Sequence, residues 1–190
     1  MSGPTRRDLL GAGSGLAVGA TLLAALPAPQ ASASGIRDLP AQPPRPAPEF
    51  TFTDEAGAAR DLSHFPGKAF VVNFWATWCA PCVVEMPALD RMQAALAEDD
   101  ILVLALASDR GGAAQVRPFY ERVGLRHLGL WLDPRGAAAR AFGVRAVPTT
   151  VILDRERREV SRLAGPADWD ALPMLAAVRG LIGSKPPARG

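Results

Sequence analysis

The chain holds two cysteines, and they sit in the stretch Cys79-Ala80-Pro81-Cys82. On the first turn of a helix this spacing puts both side chains on one face, with their Cα atoms inside the window a disulfide can close. Three chemistries use such a pair. A zinc site wants about four ligands, and the chain has no second cysteine pair; His64 and His127 are far apart and lack ligand spacing. A structural disulfide stabilises most when it closes a long loop, and this loop is short. Reversible dithiol–disulfide exchange is the reading that a Cys-x-x-Cys pair beside a β-to-α pattern favours. Exchange needs a thiolate, which the unpaired N–H groups and dipole of a helix N-terminus stabilise. Cys79 is expected to be the more exposed nucleophile, attacking a disulfide in a partner protein. Cys82, one turn deeper, is expected to resolve the mixed disulfide. Pro81 removes one backbone donor and fixes the turn, so it tunes the pair without reacting itself. Glu85 follows three residues after Cys82 and can point back along the same helix face; the alternative for it is a solvated carboxylate.

The elements around the pair read as follows. Ala69 to Trp75 is an apolar lead-in suited to an interior strand, and the helix opening at the cysteines runs to about Ala97. Upstream, Glu49 to Thr53 alternates as a half-buried strand, Asp54 to Gly57 supplies a turn, and Ala58 to Leu62 pairs back as a short hairpin. Downstream, Ile101 to Ala107 is a buried strand, Ala113 to Val123 a helix carrying Pro118, and His127 to Leu132 another strand. A short helix to Phe142 follows, then strands Thr149 to Leu153 and Val160 to Leu163, and a closing helix from Ala167 to Ile182. Alternating strands and helices with a terminal hairpin spell α/β, with helices on both faces of the sheet.

At 190 residues the chain has room for one domain with flanking segments. Its 21 basic and 19 acidic residues leave a net charge of +2, which makes no electrostatic case for nucleic acid. Residues 1–33 read as an export signal: Arg6-Arg7, an uncharged weakly apolar run from Leu9 to Leu26, and Ala31-Ser32-Ala33 as a cleavage pattern. The arginine pair points to the Tat route, with cleavage after Ala33. An uncleaved N-terminal anchor is the competing reading, because the apolar run approaches bilayer length. Residues 34–48 are Pro-rich and read as an extended tether with little core contact. The domain proper is expected over 49–183, with a flexible tail over 184–190.

Phe74-Trp75-Ala76-Thr77-Trp78-Cys79-Ala80-Pro81-Cys82, with Glu85, Pro87 and Val147-Pro148-Thr149-Thr150, resembles the TlpA/ResA-like thiol–disulfide oxidoreductases of the thioredoxin superfamily. The resemblance covers roughly Phe50 to Ile182. It implies a thioredoxin fold: a four- or five-stranded mixed sheet flanked by helices, here with the N-terminal β-hairpin as an extension. It further implies an extracytoplasmic, usually reducing, dithiol enzyme that needs no cofactor beyond its redox-active disulfide. Cysteine-containing client proteins and a membrane thiol electron donor are the implied partners, in cytochrome c maturation or copper-site assembly; a monomer is expected. By the same resemblance Glu85 takes or supplies the proton of Cys82. Asn73 stands where thioredoxins proper carry a buried Asp, which puts their proton route in doubt here and raises the weight on Glu85. A cis bond is implied at Val147-Pro148, with the Val147 backbone pairing to an extended substrate segment. Trp78 is expected to cover the cysteines and line a docking surface, while Trp75 is core and Trp131 and Trp169 serve packing only. Pro87 is expected to kink the active-site helix.

Two other functions compete. A peroxiredoxin-like peroxide reductase shares the fold, but its Pro-x-x-x-Thr-x-x-Cys pattern laid on Cys79 meets Val72 and Ala76. A copper-binding carrier would use the cysteines without turnover, with Met86 the other soft ligand nearby and no histidine to complete the site.

Overall fold

The computed structural model describes residues 39–183. The expected export signal over 1–33, the first part of the tether and the tail over 184–190 lie outside the described residues. One mixed sheet of eight strands organises the rest, in the order β1 (Ala41–Pro46), β8 (Arg158–Ala164), β7 (Thr149–Leu153), β4 (Ala69–Trp75), β5 (Ile101–Ala107), β6 (Trp131–Leu132), β2 (Phe52–Thr53) and β3 (Ala59–Arg60). Its centre is β4 (Ala69–Trp75), parallel to β5 (Ile101–Ala107) on one side and antiparallel to β7 (Thr149–Leu153) on the other. Every residue of β4 is buried, as a central strand covered on both faces must be. Side chains alternate between two cores. Val71, Trp75, Val103, Ala105 and Ile152 face one; Phe70, Phe74, Leu104 and Leu153 face the other.

Three helices cover the first face: α1 (Ala80–Leu96), α2 (Ala113–Val123) and α4 (Leu172–Ile182). Met86, Leu89, Met92 and Leu96 of α1 are fully buried there, each worth roughly 1.5–3 kcal/mol on removal from water. The second face is covered by α3 (Ala137–Ala141), Phe142 and the N-terminal hairpin β2 (Phe52–Thr53) with β3 (Ala59–Arg60). Helices therefore sit on both faces, three against one.

The sheet is wider than the four or five strands the resemblance implies. Residues expected to be tether include β1 (Ala41–Pro46), which pairs antiparallel with β8 (Arg158–Ala164). Proline composition argued against a strand, but an edge strand bonds on one side only and tolerates proline there. Arg45 and Gln42 of β1 fasten it by donating to the Glu159 carboxylate of β8 at 2.8 Å each. On the opposite side β6 (Trp131–Leu132) lies parallel to β5 and receives the hairpin through β2. The strand expected from His127 shrinks to these two residues. The Asp90 carboxylate of α1 accepts from the backbone N–H groups of Arg126, His127 and Leu128 at 2.8–3.0 Å, so that segment turns around a side chain and offers no ladder. The closing helix starts at Leu172, later than the expected Ala167, with Pro173 in its first turn.

Candidate active site

β4 carries the chain to Trp75, and α1 begins only five residues later. Cys79 is the N-cap of α1: its backbone is extended, and its Sγ accepts from the Cys82 N–H at 3.3 Å. Pro81 occupies the first turn, where a missing N–H costs nothing. Cys79 and Cys82 are joined in a disulfide with Cα atoms 5.3 Å apart. Cys79 is 6% exposed and Cys82 fully buried, so the first sulfur is the reachable one.

The loop before β7 closes over the pair. Val147–Pro148 is a cis peptide, and the Val147 carbonyl oxygen lies 3.7 Å from Cys79 Sγ. Two bonds hold this loop: Thr149 Oγ1 donates to the Ala146 carbonyl at 2.7 Å, and the Gly165 N–H donates to the Pro148 carbonyl at 2.9 Å. The junction between β4 and α1 is tied down too. Buried Asp109, just beyond β5, accepts from the Thr77 N–H and hydroxyl, and from Gln115 Nε2 at 2.7 Å. These bonds lock the segment that presents Cys79 to the end of β5 and the start of α2.

Glu85 is buried on α1 and anything but solvated. Its Oε1 accepts from Asn73 Nδ2 at 3.0 Å, and its Oε2 from Trp169 Nε1 at 2.9 Å and the Ala167 N–H at 3.3 Å. Asn73 Nδ2 also donates to Thr150 Oγ1 at 2.9 Å, while Asn73 Oδ1 has no partner among the described residues. Burial pushes the Glu85 carboxyl above its ordinary range; the bonds from Trp169, Asn73 and Ala167 oppose this without cancelling it. Trp169 thus does more than pack, contrary to its expectation. Nothing in local spacing pointed to it, because Glu85 and Trp169 lie 84 residues apart in the chain. Thr150 stood within the motif quoted above, and Asp109 and Gln115 carried no signal at all.

Trp75 is core, as expected. Trp78 is 68% exposed; it lines an open depression with Ser108, Arg110, Gln115 and Arg135. The helix containing Pro87 runs on without a break to Leu96. No group of three or more His, Cys, Asp or Glu side chains gathers as a metal site among the described residues.

A family model described as Redoxin matches residues 42–178. The chain belongs to the redoxin family. Within that family this redoxin is similar to the thiol-disulfide oxidoreductase ResA of Bacillus thuringiensis, 31% identical over 119 residues, 63% of this chain and 68% of the relative. It is also similar to the thioredoxin-like protein YneN of Bacillus subtilis, 37% identical over 112 residues, 58% of this chain and 64% of the relative. Among solved structures, a Chlorobium tepidum protein assigned as thiol:disulfide interchange protein DsbE superposes with a TM-score of 0.66 at 25% identity, covering 76% of this chain and all of that one. The exposed lipoprotein thioredoxin of Streptococcus pneumoniae gives 0.57 at 28% identity, covering 67% of this chain and 98% of that one. This redoxin is a thioredoxin-fold enzyme of thiol–disulfide exchange, of the TlpA/ResA-like kind.

Proposed function

We propose that this redoxin is exported and reduces disulfides in cysteine-containing client proteins, with the Cys79–Cys82 dithiol as its whole redox equipment. The observation that carries the reading is the position of that disulfide: it caps the N-terminus of α1 with the reachable sulfur outermost, beside the Val147 backbone. In the reduced chain the helix N-terminus stabilises the Cys79 thiolate. That thiolate attacks one sulfur of the client disulfide, a Cys79–client bond forms, and the second client sulfur leaves as a thiolate. The Cys82 thiolate then attacks Cys79 Sγ. The first client sulfur leaves in turn, the Cys79–Cys82 bond closes, and two electrons have passed to the client. Glu85 takes the proton of Cys82 in this step, a role that suits a carboxyl held above its ordinary range by burial. The Val147 backbone receives the client as an added extended segment, with Pro148 shaping that edge and Trp78 flanking it.

The Arg6-Arg7 start supports export by the Tat route, and cytochrome c maturation or copper-site assembly is the setting proposed for the reduction. Outside the cytoplasm the surroundings are oxidising, so a reductant there draws its electrons from a membrane thiol donor.

The test is the reduction potential of Cys79–Cys82, read by equilibration with defined thiol mixtures, trapping and mass measurement. A value near or below about −220 mV supports a reductant. A value near about −120 mV reverses the direction and makes the chain a disulfide donor. Cys82→Ser is expected to accumulate mixed disulfides through Cys79; free product at the native rate would overturn the roles of the two sulfurs.

A further inference from the structure

The depression beside Trp78 has a volume of about 800 Å³ and lies where three loops meet. They follow β4, β5 and β6, the three parallel strands of the sheet. The carboxyl ends of parallel strands are where α/β sheets open a crevice for ligands, and here the crevice begins one residue from Cys79. Its contents are unusual for a protein of balanced charge. Trp78 is exposed, although a large apolar ring gains by burial. Exposed Arg110 and Arg135 stand in the same lining, and neither guanidinium is paired with a carboxylate among the described residues. The acidic neighbours are turned inward. Asp109 is committed to Thr77 and Gln115, and buried Asp133 accepts from the Ala139 N–H. An incoming chain therefore meets two cations and an aromatic face.

Resting on the reductase reading above, we propose that this crevice selects the client: it docks an acidic polypeptide segment flanking the target disulfide. Carboxylates of the client pair with Arg110 and Arg135, and an aromatic or aliphatic client side chain covers Trp78. Arginine is suited to this work, because its planar fork grips carboxylates in two places, and arginine and tryptophan are enriched among residues that dominate interfaces. Backbone pairing at Val147 accepts any extended sequence, so discrimination falls to the Trp78 side.

The experiment uses the reduced full chain and three disulfide-bonded peptides, alike except for flanking glutamate, glutamine or lysine. Second-order rate constants of disulfide exchange are read at low and high salt. The glutamate peptide is expected to exceed the lysine peptide by roughly ten-fold or more at low salt, the scale of electrostatic steering, and the ratio to shrink toward one near 1 M salt. R110E/R135E is expected to reverse the ratio, and R110Q/R135Q to flatten it. A fourth peptide, with a phenylalanine added beside the flanking glutamate, is expected to be slowed by Trp78→Ala more than the three peptides without one. Equal rates for all three peptides overturn the docking assignment and leave the reductase reading standing. A glutamate preference that survives R110E/R135E also overturns it. No exchange with any peptide, while the cysteines still form and break their own disulfide, overturns the reductase reading and this one with it.

Discussion

Glu85 is the side chain whose surroundings say most about how the cysteines could be served. Its carboxyl sits above its ordinary value of 4.5 because burial disfavours the charge. The native chain therefore holds this proton to a higher pH than the unfolded chain does. Between those two values the folded state binds more protons, so this group's contribution to stability declines as pH rises from about 4.5 upward. Glu85→Gln is expected to remove that decline: its denaturation midpoint should gain on the native chain between pH 5 and pH 8. Trp169→Phe keeps an aromatic ring, a smaller one, and deletes one of the bonds that oppose the shift. The carboxylate then costs more to bury, by about 1–3 kcal/mol at pH 8, with a smaller loss at pH 5. Parallel loss at both pH values would show that Trp169 acts by packing alone. In the sequence Glu85 stood out by its distance from Cys82. Its donors did not, since a hydrogen bond spanning 84 residues leaves no local pattern.

At the scale of elements, the strands and helices that bury a continuous apolar stripe were legible. The bounds expected for β4, β5, β7 and α2 are those observed. Where side chains capture backbone groups, the pattern misled. Asp90 unravels the strand expected from His127, and Glu85 engages the loop at Ala167 where a helix was expected to start. β1 was missed because its strand character comes from β8. Glu159 joins the two: it accepts from Arg162, Arg45 and Gln42. Burial works to raise its pKa, but these bonds together outweigh burial and hold the carboxyl at about 2. A lowered carboxyl contributes stability that is complete above its ordinary 4.5 and is lost as pH falls toward about 2. Acid denaturation is expected to begin in that window with exposure of β1, read as lost hydrogen-exchange protection at the amides of Ala41, Gln42 and Arg45, the residues of β1 that carry one. Glu159→Gln should show that loss already at neutral pH.

For the molecule as a whole, the redox state and the fold are linked. A disulfide that resists reduction is one whose oxidised protein is the more stable form; a strong oxidant is the reverse, because its reduced form is the stabilised one. The oxidised chain is accordingly expected to unfold at higher denaturant than the reduced chain. A more stable reduced form would mark a disulfide donor and turn the proposed electron flow around. The comparison needs no client and no donor, so it separates direction from partner.

Much of this protein follows from its sequence by itself. The Cys-x-x-Cys pair at a β-to-α junction favours thiol–disulfide chemistry over the other uses of two cysteines, because geometry and helix dipole act within a few residues of them. The apolar periods dictate an α/β core for the same reason: burial of one stripe or one strand is a local property of the pattern. Only the tertiary structure decided what depends on residues far apart in the chain. It brought Trp169, Asn73 and the Ala167 N–H to the Glu85 carboxylate, set Thr150 against Asn73, and locked the Cys79 segment to Asp109. It also gathered Trp78, Arg110 and Arg135 at the mouth of one crevice. Each of those arrangements is made by strands from distant parts of the chain lying side by side, and no spacing within a single segment encodes that.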